Sequence, residues 1–349
     1  MIKKKTESLL NYYGFTKAKQ KKYPVVSGIL KELTPERAKM EKEEISKVHL
    51  PALLSRLIND CSEVSKRSRF LWQCMYKYAP YGTLPCVYRK DKKSAYQAKI
   101  IGMLFVALVD DLADKYKDEK LLNEIIKIPL NSDFKIKKKF TLRQQRYLII
   151  SQRIWLCLEK ELRKYCYFNK YKSLFEFYFS QVINSMRYGF LMNKNLNLIN
   201  NEECLMYLPH NMQVIVNYII DLMCMPKVNM YELRVLHKIV LNVQVMARIA
   251  NCLGTWEREL EEYDFSSIIF SYCLEKNIIT LEEINKKNID KIRKKINASN
   301  CQEYFLSKWN NHYCEIKKLN KKIKIMDITE YIKGTEKILE MYCLSKGYL

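Results

Sequence analysis

The chain has 349 residues, 48% of them hydrophobic, enough to bury a sizeable core. Only 8 Gly and 8 Pro occur, which excludes sandwiches, barrels and βαβ sheets, since these need many special turns; the expected class is all-α. The formal charge of +23 points to an anionic partner, or else to a Lys-rich composition spread over a solvated surface.

Residues 1–45 are basic and mixed, and read as a loosely held N-terminal arm carrying Lys3-Lys4-Lys5 and the group from Lys17 to Lys22. From Leu50 a helical period takes over, and residues 46–349 read as one domain without repeat or linker. "PALLSRLINDCSEVSKRSRFLWQCMYKYA" predicts one or two amphipathic helices, broken near Pro80 and Gly82. "SAYQAKIIGMLFVALVDDLADKYKDE" is the most apolar helix, buried on most sides. "TLRQQRYLIISQRIWLCLEKELRKY" and "KSLFEFYFSQVINSMRYGFLMN" follow. Residues 203–225 are apolar, with Pro209 marking a kink or an entry. "MYELRVLHKIVLNVQVMARIANCLGTWERELEEYD" is a long helix of one or two pieces, and the chain beyond Ile278 reads as two more.

The apolar runs 100–109 and 213–225 are too short to span a bilayer. The 12 Cys form no CxxC pair, so no zinc framework is expected and a reducing cytoplasm is the plain reading. The start of the chain carries no secretory pattern. No Ser/His/Asp or Cys/His arrangement and no phosphate-binding Gly loop is present, and the four His are scattered.

Two acidic groups stand out. Asp110, Asp111 and Asp114 form D-D-x-x-D at the C-terminal side of the apolar helix, where the dipole disfavours anions and the acids repel one another. Asp110 and Asp114 share a face one turn apart, with Asp111 beside them. Clustered acids there are expected either to bind a hard cation such as Mg2+ or to emerge into solvent. Further on, Asn251, Thr255 and Glu259 repeat at i, i+4 and i+8. They drift by only about 40° per step, so one stripe offers three kinds of oxygen over roughly 12 Å. Arg248 and Arg258 flank it, within reach of a phosphate on the same metal. Taken alone, this is also what an ordinary polar helix stripe looks like.

Together the two groups resemble the class I terpene synthases, the terpene cyclases of bacterial type, whose marks are D-D-x-x-D and a downstream N-D-x-x-S/T-x-x-K-E. Here the first reads Asp110-Asp111-Leu-Ala-Asp114. The second reads Asn251-Cys252-Leu-Gly-Thr255-Trp-Glu-Arg258-Glu259, with Cys252 for Asp and Arg258 for Lys. Only these motifs are specific; the likeness in layout runs from about residue 50 onward. The family's Arg about 45 residues before the second motif has no counterpart in "MYLPHNMQVIVNY", and Arg187 lies further upstream. Its C-terminal Arg-Tyr pair is nearest to Lys346 and Tyr348.

The resemblance implies a single-domain, class I terpenoid synthase-like helical bundle around a central apolar cavity. It implies a lyase that ionises a linear isoprenyl diphosphate, C20 or C15, and cyclises the cation to a hydrocarbon or alcohol. Three Mg2+ would be held by Asp110, Asp114, Asn251, Thr255 and Glu259, with Asp111 behind them. Arg258, Arg248, Arg187, Lys346 and Tyr348 are the candidates for the diphosphate. Met103, Val106 and Ala107, a turn below the acids, are expected to line the pocket, with Trp72, Tyr76 and Phe190 as candidate aromatics. A monomer or homodimer, without a nucleic-acid partner, is expected. The rivals are a chain-elongating isoprenyl diphosphate synthase, which would carry two aspartate-rich motifs, and a basic helical nucleic-acid-binding protein suggested by the charge.

Overall fold

The architecture comes from a computed structural model that describes residues 13, 16–131, 133–136, 139–225, 230–324 and 326–345. The described elements are helical, and none of the described residues lies in a strand. In chain order the helices are α1 (Lys17–Lys22), α2 (Pro24–Glu32), α3 (Pro35–Ser46), α4 (Ala52–Ser62), α5 (Arg69–Tyr78) and α6 (Lys92–Asp110). A π-helical turn (Asp111–Lys115) extends α6, followed by α7 (Glu119–Ile125), α8 (Leu142–Leu162), α9 (Phe168–Lys194) and α10 (Asn201–Tyr207). Then come a 3-10 turn (Leu208–Met212), α11 (Val214–Met223), α12 (Met230–Glu261), α13 (Ile268–Glu275), α14 (Leu281–Asn285), α15 (Ile289–Ala298), α16 (Cys301–Asn320) and α17 (Thr329–Leu344).

Two helices organise the bundle. Helix α6 is apolar around most of its circumference, and Ala95, Ala98, Ile101, Leu104 and Phe105 are wholly inaccessible. It is wrapped by α4, α5, α8, α9 and α11. Helix α12 packs along α16 and α17 on one side and α11 on another. Helix α11 thus touches both and spaces them apart. Each fully buried Leu, Ile or Phe contributes about 1.5–3 kcal/mol, so the apolar faces of α6 and α12 are the main source of bundle stability.

The N-terminal segment differs from the loose arm read from its composition. Residues 17–46 are mostly helical, and α2 docks on α16 and α17 with Val26 and Leu30 at 0% exposure. Ion pairs from Lys19 to Glu303 and from Arg37 to Glu340 tie it to the C-terminal helices. Basic composition obscured a narrow apolar stripe. The long α12 runs unbroken for 32 residues. The chain after Ile278 forms four helices among the described residues rather than two, since left-handed Lys287 separates α14 from α15 and extended Ser299 ends α15. No described helix is long and apolar enough to cross a membrane.

Candidate active site

The first acidic group sits where α6 changes its hydrogen bonding. The Tyr116 amide donates to Asp111 O at 2.9 Å, an i to i−5 bond, so the turn from Asp111 to Lys115 is wider than an α-turn. Such π-turns recur at functional sites because they re-aim side chains. Here Asp110 and Asp114 both face one cavity, whereas Asp111 turns inward and is 1% exposed. Asp111 accepts the Ser65 hydroxyl at 2.5 Å and Arg67 Nε at 3.0 Å. The even helical spacing assumed from sequence therefore does not extend through Asp114, and Asp111 stands behind the cavity wall.

The second group lies across the same cavity on α12. Asn251 and Glu259 line it, and Thr255 is buried between them. The Thr255 hydroxyl is placed 2.7 Å from Glu259 Oε1 and 2.8 Å from Asn251 O. Glu259 Oε2 is buried and accepts no hydrogen bond. Arg248 donates to Asn251 Oδ1 at 2.9 Å, and Tyr342 lines the same cavity. Asp264, directly after α12, completes the rim; it accepts Asn193 Nδ2 at 2.8 Å and the Ser266 hydroxyl at 2.7 Å.

The electrostatics follow from crowding acids in a partly dry cleft. Burial pushes the Glu259 carboxyl up to about 7, and Asp264 adds to the shift. Asp114 is raised well above the usual carboxylate range by burial, by Asp264 and by Asp110. Burial would raise Asp110 too, but the guanidinium of Arg67, hydrogen-bonded to it, outweighs that and holds it below its usual value. Arg67 in turn stays charged despite burial because Asp110 and Asp111 flank it.

The cavity encloses about 1110 Å³ including its open mouth. Its cationic rim is Arg67, Arg248, Arg258 and Lys115. The Nε atoms of Arg248 and Arg258 are buried without a hydrogen-bond partner. Beside it, an apolar chamber of about 760 Å³, its open part included, lies between α5, α6, α11, α12 and α17. Met75, Met103, Met212 and Tyr342 border both spaces.

The sequence-derived residues separate clearly. Asp110, Asp114, Asn251, Glu259, Arg248 and Arg258 meet at one cavity, with Thr255 supporting them. Met103, Val106, Ala107 and Trp72 line it as well. Tyr76 is half-buried outside both cavities, and Phe190 is buried in the outer part of the bundle. Arg187 is exposed on α9 and takes no part in the cavity wall, although its neighbour Met186 does. Lys346 and Tyr348 lie outside the described residues. Sequence reasoning missed Arg67, Asp264, Tyr342 and Gln213. Only Arg67, in the basic "SKRSRF" ahead of α5, left a visible signal.

Whether Mg2+ fits can be judged from the oxygens. Among the described residues no three Asp, Glu, His or Cys side chains converge on one point. Two carboxylates, on α6 and on the π-turn that extends it, face an amide and a carboxylate on α12, with the Thr255 hydroxyl bonded behind them, and one oxygen of Glu259 is unpartnered. That donor set suits a hard cation completing its shell with water and phosphate oxygen. Burial first, and then the charge of neighbouring acids, chiefly Asp264, raises Asp114 and Glu259, and a cation would relieve that repulsion.

No protein-family model matches this chain, and no curated protein does. Among solved structures it is similar to isoprene synthase from grey poplar leaves (Populus x canescens), with a TM-score of 0.54 and 11% identity. The match covers 92% of this chain and 54% of the poplar chain, so the protein spans about half the length of that relative. The chain therefore has a terpene synthase-like all-α fold.

Proposed function

We propose that the protein is a Mg2+-dependent terpene synthase that ionises a linear isoprenyl diphosphate, C20 or C15, and cyclises the resulting carbocation. The observation that carries this reading is the meeting of Asp110 and Asp114 with Asn251 and Glu259 across one cavity, which shares Met75, Met103, Met212 and Tyr342 with a neighbouring apolar chamber. The poplar enzyme of like fold is an isoprene synthase, which agrees with this class of substrate.

Asp110 and Asp114 would hold metal from one wall, and Asn251, Thr255 and Glu259 from the other. When bound, the metal would supply Lewis-acid neutralisation of the leaving diphosphate. The remaining work falls to the chain's own side chains. Arg258 and Arg248 present unpartnered Nε–H groups, and Arg67 and Lys115 add positive charge at the rim, a set matched to diphosphate oxygens. Heterolysis of the allylic carbon–oxygen bond leaves a cation in the neighbouring chamber. There Met75, Met103, Ile100, Val243 and Ile338 exclude water, and the Tyr342 ring, like Trp72 in the first cavity, would be worth on the order of 1–2 kcal/mol to a passing cation.

The test is incubation of the full chain with Mg2+ and farnesyl or geranylgeranyl diphosphate, followed by analysis of organic products and released diphosphate. Cyclic products that disappear in Asp110→Asn and on chelation support the reading. A longer isoprenyl diphosphate in place of cyclic products would support chain elongation instead, and absence of turnover of any isoprenyl diphosphate would sink both.

A further inference from the structure

The wall of the cavity bears one polar group that neither metal nor diphosphate explains. Gln213 joins the 3-10 turn to α11 with φ 57° and ψ 13°, the left-handed region that an unbranched L-residue enters only at a cost. The turn is held in place from outside: Gln244 on α12 accepts the Ile215 amide at 3.1 Å and meets His210 Nδ1 at 3.3 Å, while the Gln213 amide donates to His210 O at 3.1 Å. The side chain is 1% exposed and lies on the cavity wall. Its Nε2 donates to Asn217 Oδ1 at 3.2 Å and toward Lys99 O at 3.5 Å, which fixes which end of the amide is which. Oε1 accepts nothing from the protein, and neither does the buried Oδ1 of Asn211, two residues earlier on the same wall. Gly102 makes room for this amide, since a Cβ there would stand 2.7 Å from Gln213 Nε2.

Leaving a buried amide oxygen without a donor is unfavourable. An isoprenyl chain has no donor to offer, whereas water does, and a polar spot with two acceptors in a roomy cavity is where an ordered water is retained. Resting on the reading above, we infer that Gln213, with Asn211, holds a water molecule against the reacting carbon, so that the carbocation is captured as an alcohol rather than released as a hydrocarbon. One water lone pair forms the new carbon–oxygen bond at the cationic carbon. The oxonium so formed loses one proton to an oxygen of the diphosphate released earlier in the same turnover. The sum is isoprenyl diphosphate plus water giving cyclic alcohol plus diphosphate, with no oxidant or reductant. Gln213 is a positioning residue here, acting on the water through its Oε1.

The experiment uses the full chain with Mg2+ in isotope-labelled water, offers geranyl, farnesyl and geranylgeranyl diphosphate separately, and reads the ratio of labelled alcohol to hydrocarbon by mass spectrometry. Wild type is expected to give labelled alcohol as its main product. Gln213→Met keeps an unbranched side chain, hence the same backbone strain, but removes the acceptor; it should lower the alcohol share about tenfold or more. Gly102→Ala, which displaces the amide without changing it, should lower the share in the same direction. The ratio is internal to each preparation, so it does not depend on how much of a variant folds. Wild type that turns over to hydrocarbon only, or a labelled-alcohol share unchanged in both variants, overturns the inference and leaves the proposed function standing. A wild-type chain inert toward all three diphosphates overturns both.

Discussion

Arg67, from the loop ahead of α5, hydrogen-bonds Asp110 at the cavity mouth and Asp111 behind the wall at once, so a single guanidinium bridges two adjacent acids of the aspartate motif, and Lys115, 3.6 Å from Asp111, adds a second positive charge. Two of the three carboxylates at the end of the apolar helix are thereby tolerated before any metal binds, while Asp114 is raised well above the usual carboxylate range by burial, by Asp264 and by Asp110. Arg67 also places a cation at the point where a metal and a diphosphate would arrive.

Removing that guanidinium should expose the repulsion it cancels. Asp111 is 1% exposed, and stripping a buried carboxylate of its partner is unfavourable by about 3 kcal/mol. Arg67→Gln is therefore expected to lower stability by about that amount in chelator, measured as the urea midpoint. Added Mg2+ should restore part of the loss, and Arg67→Lys should lose less than Arg67→Gln.

Glu259 makes the metal-free protein pH-dependent. Its carboxyl titrates near 4.5 in an unfolded chain and is raised to about 7 in the fold, by burial first and then by Asp264. The folded chain therefore keeps this proton across that window while the unfolded chain releases it. The group's contribution is full below 4.5, declines as pH rises, and by pH 7 has lost about 3 kcal/mol, at ~1.4 kcal/mol per unit. Asp114 shifts in the same direction. Urea midpoints in chelator should fall between about pH 5 and about pH 8, and Glu259→Gln should flatten the fall. An unchanged slope in that variant would refute the assignment.

Gly254 fixes how closely α17 approaches α12. A Cβ at this position would lie 2.7 Å from Tyr342 O, a backbone atom that cannot swing away. Gly254→Ala should be destabilising by about 1–3 kcal/mol through overpacking. It should also alter product distribution, because the backbone that must yield carries the Tyr342 ring bordering both cavities. Thermal unfolding and product profiles together check this.

The buried pair Lys99–Asp221, at 2.7 Å, borders the apolar chamber and is completed by Gly82 O, the Thr83 hydroxyl and the Leu84 amide. Burial pushes Lys99 down and Asp221 up. Lys99→Met alone should be destabilising by about 3–5 kcal/mol, since Asp221 is left unpaired, whereas Lys99→Met with Asp221→Leu should be close to neutral. Equal losses in the single and double variants would show that the pair is not the reason.

Much of this protein is local in origin. Scarce Gly and Pro and the 3.6-residue apolar period fixed the helical class, and i, i+4, i+8 spacing put Asn251, Thr255 and Glu259 on one stripe, because helix geometry links nearby residues without reference to the rest of the chain. The turn at Pro209 was legible for the same reason. The helical spacing alone did not show Asp111 facing inward, which only the family resemblance implied; Ser65 and Arg67, from another segment, hold it there. Tyr342 and Gln213 were likewise invisible, each brought to the cavity by packing between helices far apart in the chain, and Asp264 is placed by the turn that ends α12. Sequence alone thus set which residues are helical and which acids travel together. Tertiary structure decided that the two acidic walls share one cleft, which arginines close it and which amide faces inward, because those outcomes depend on α6, α11 and α12 burying their apolar faces against one another.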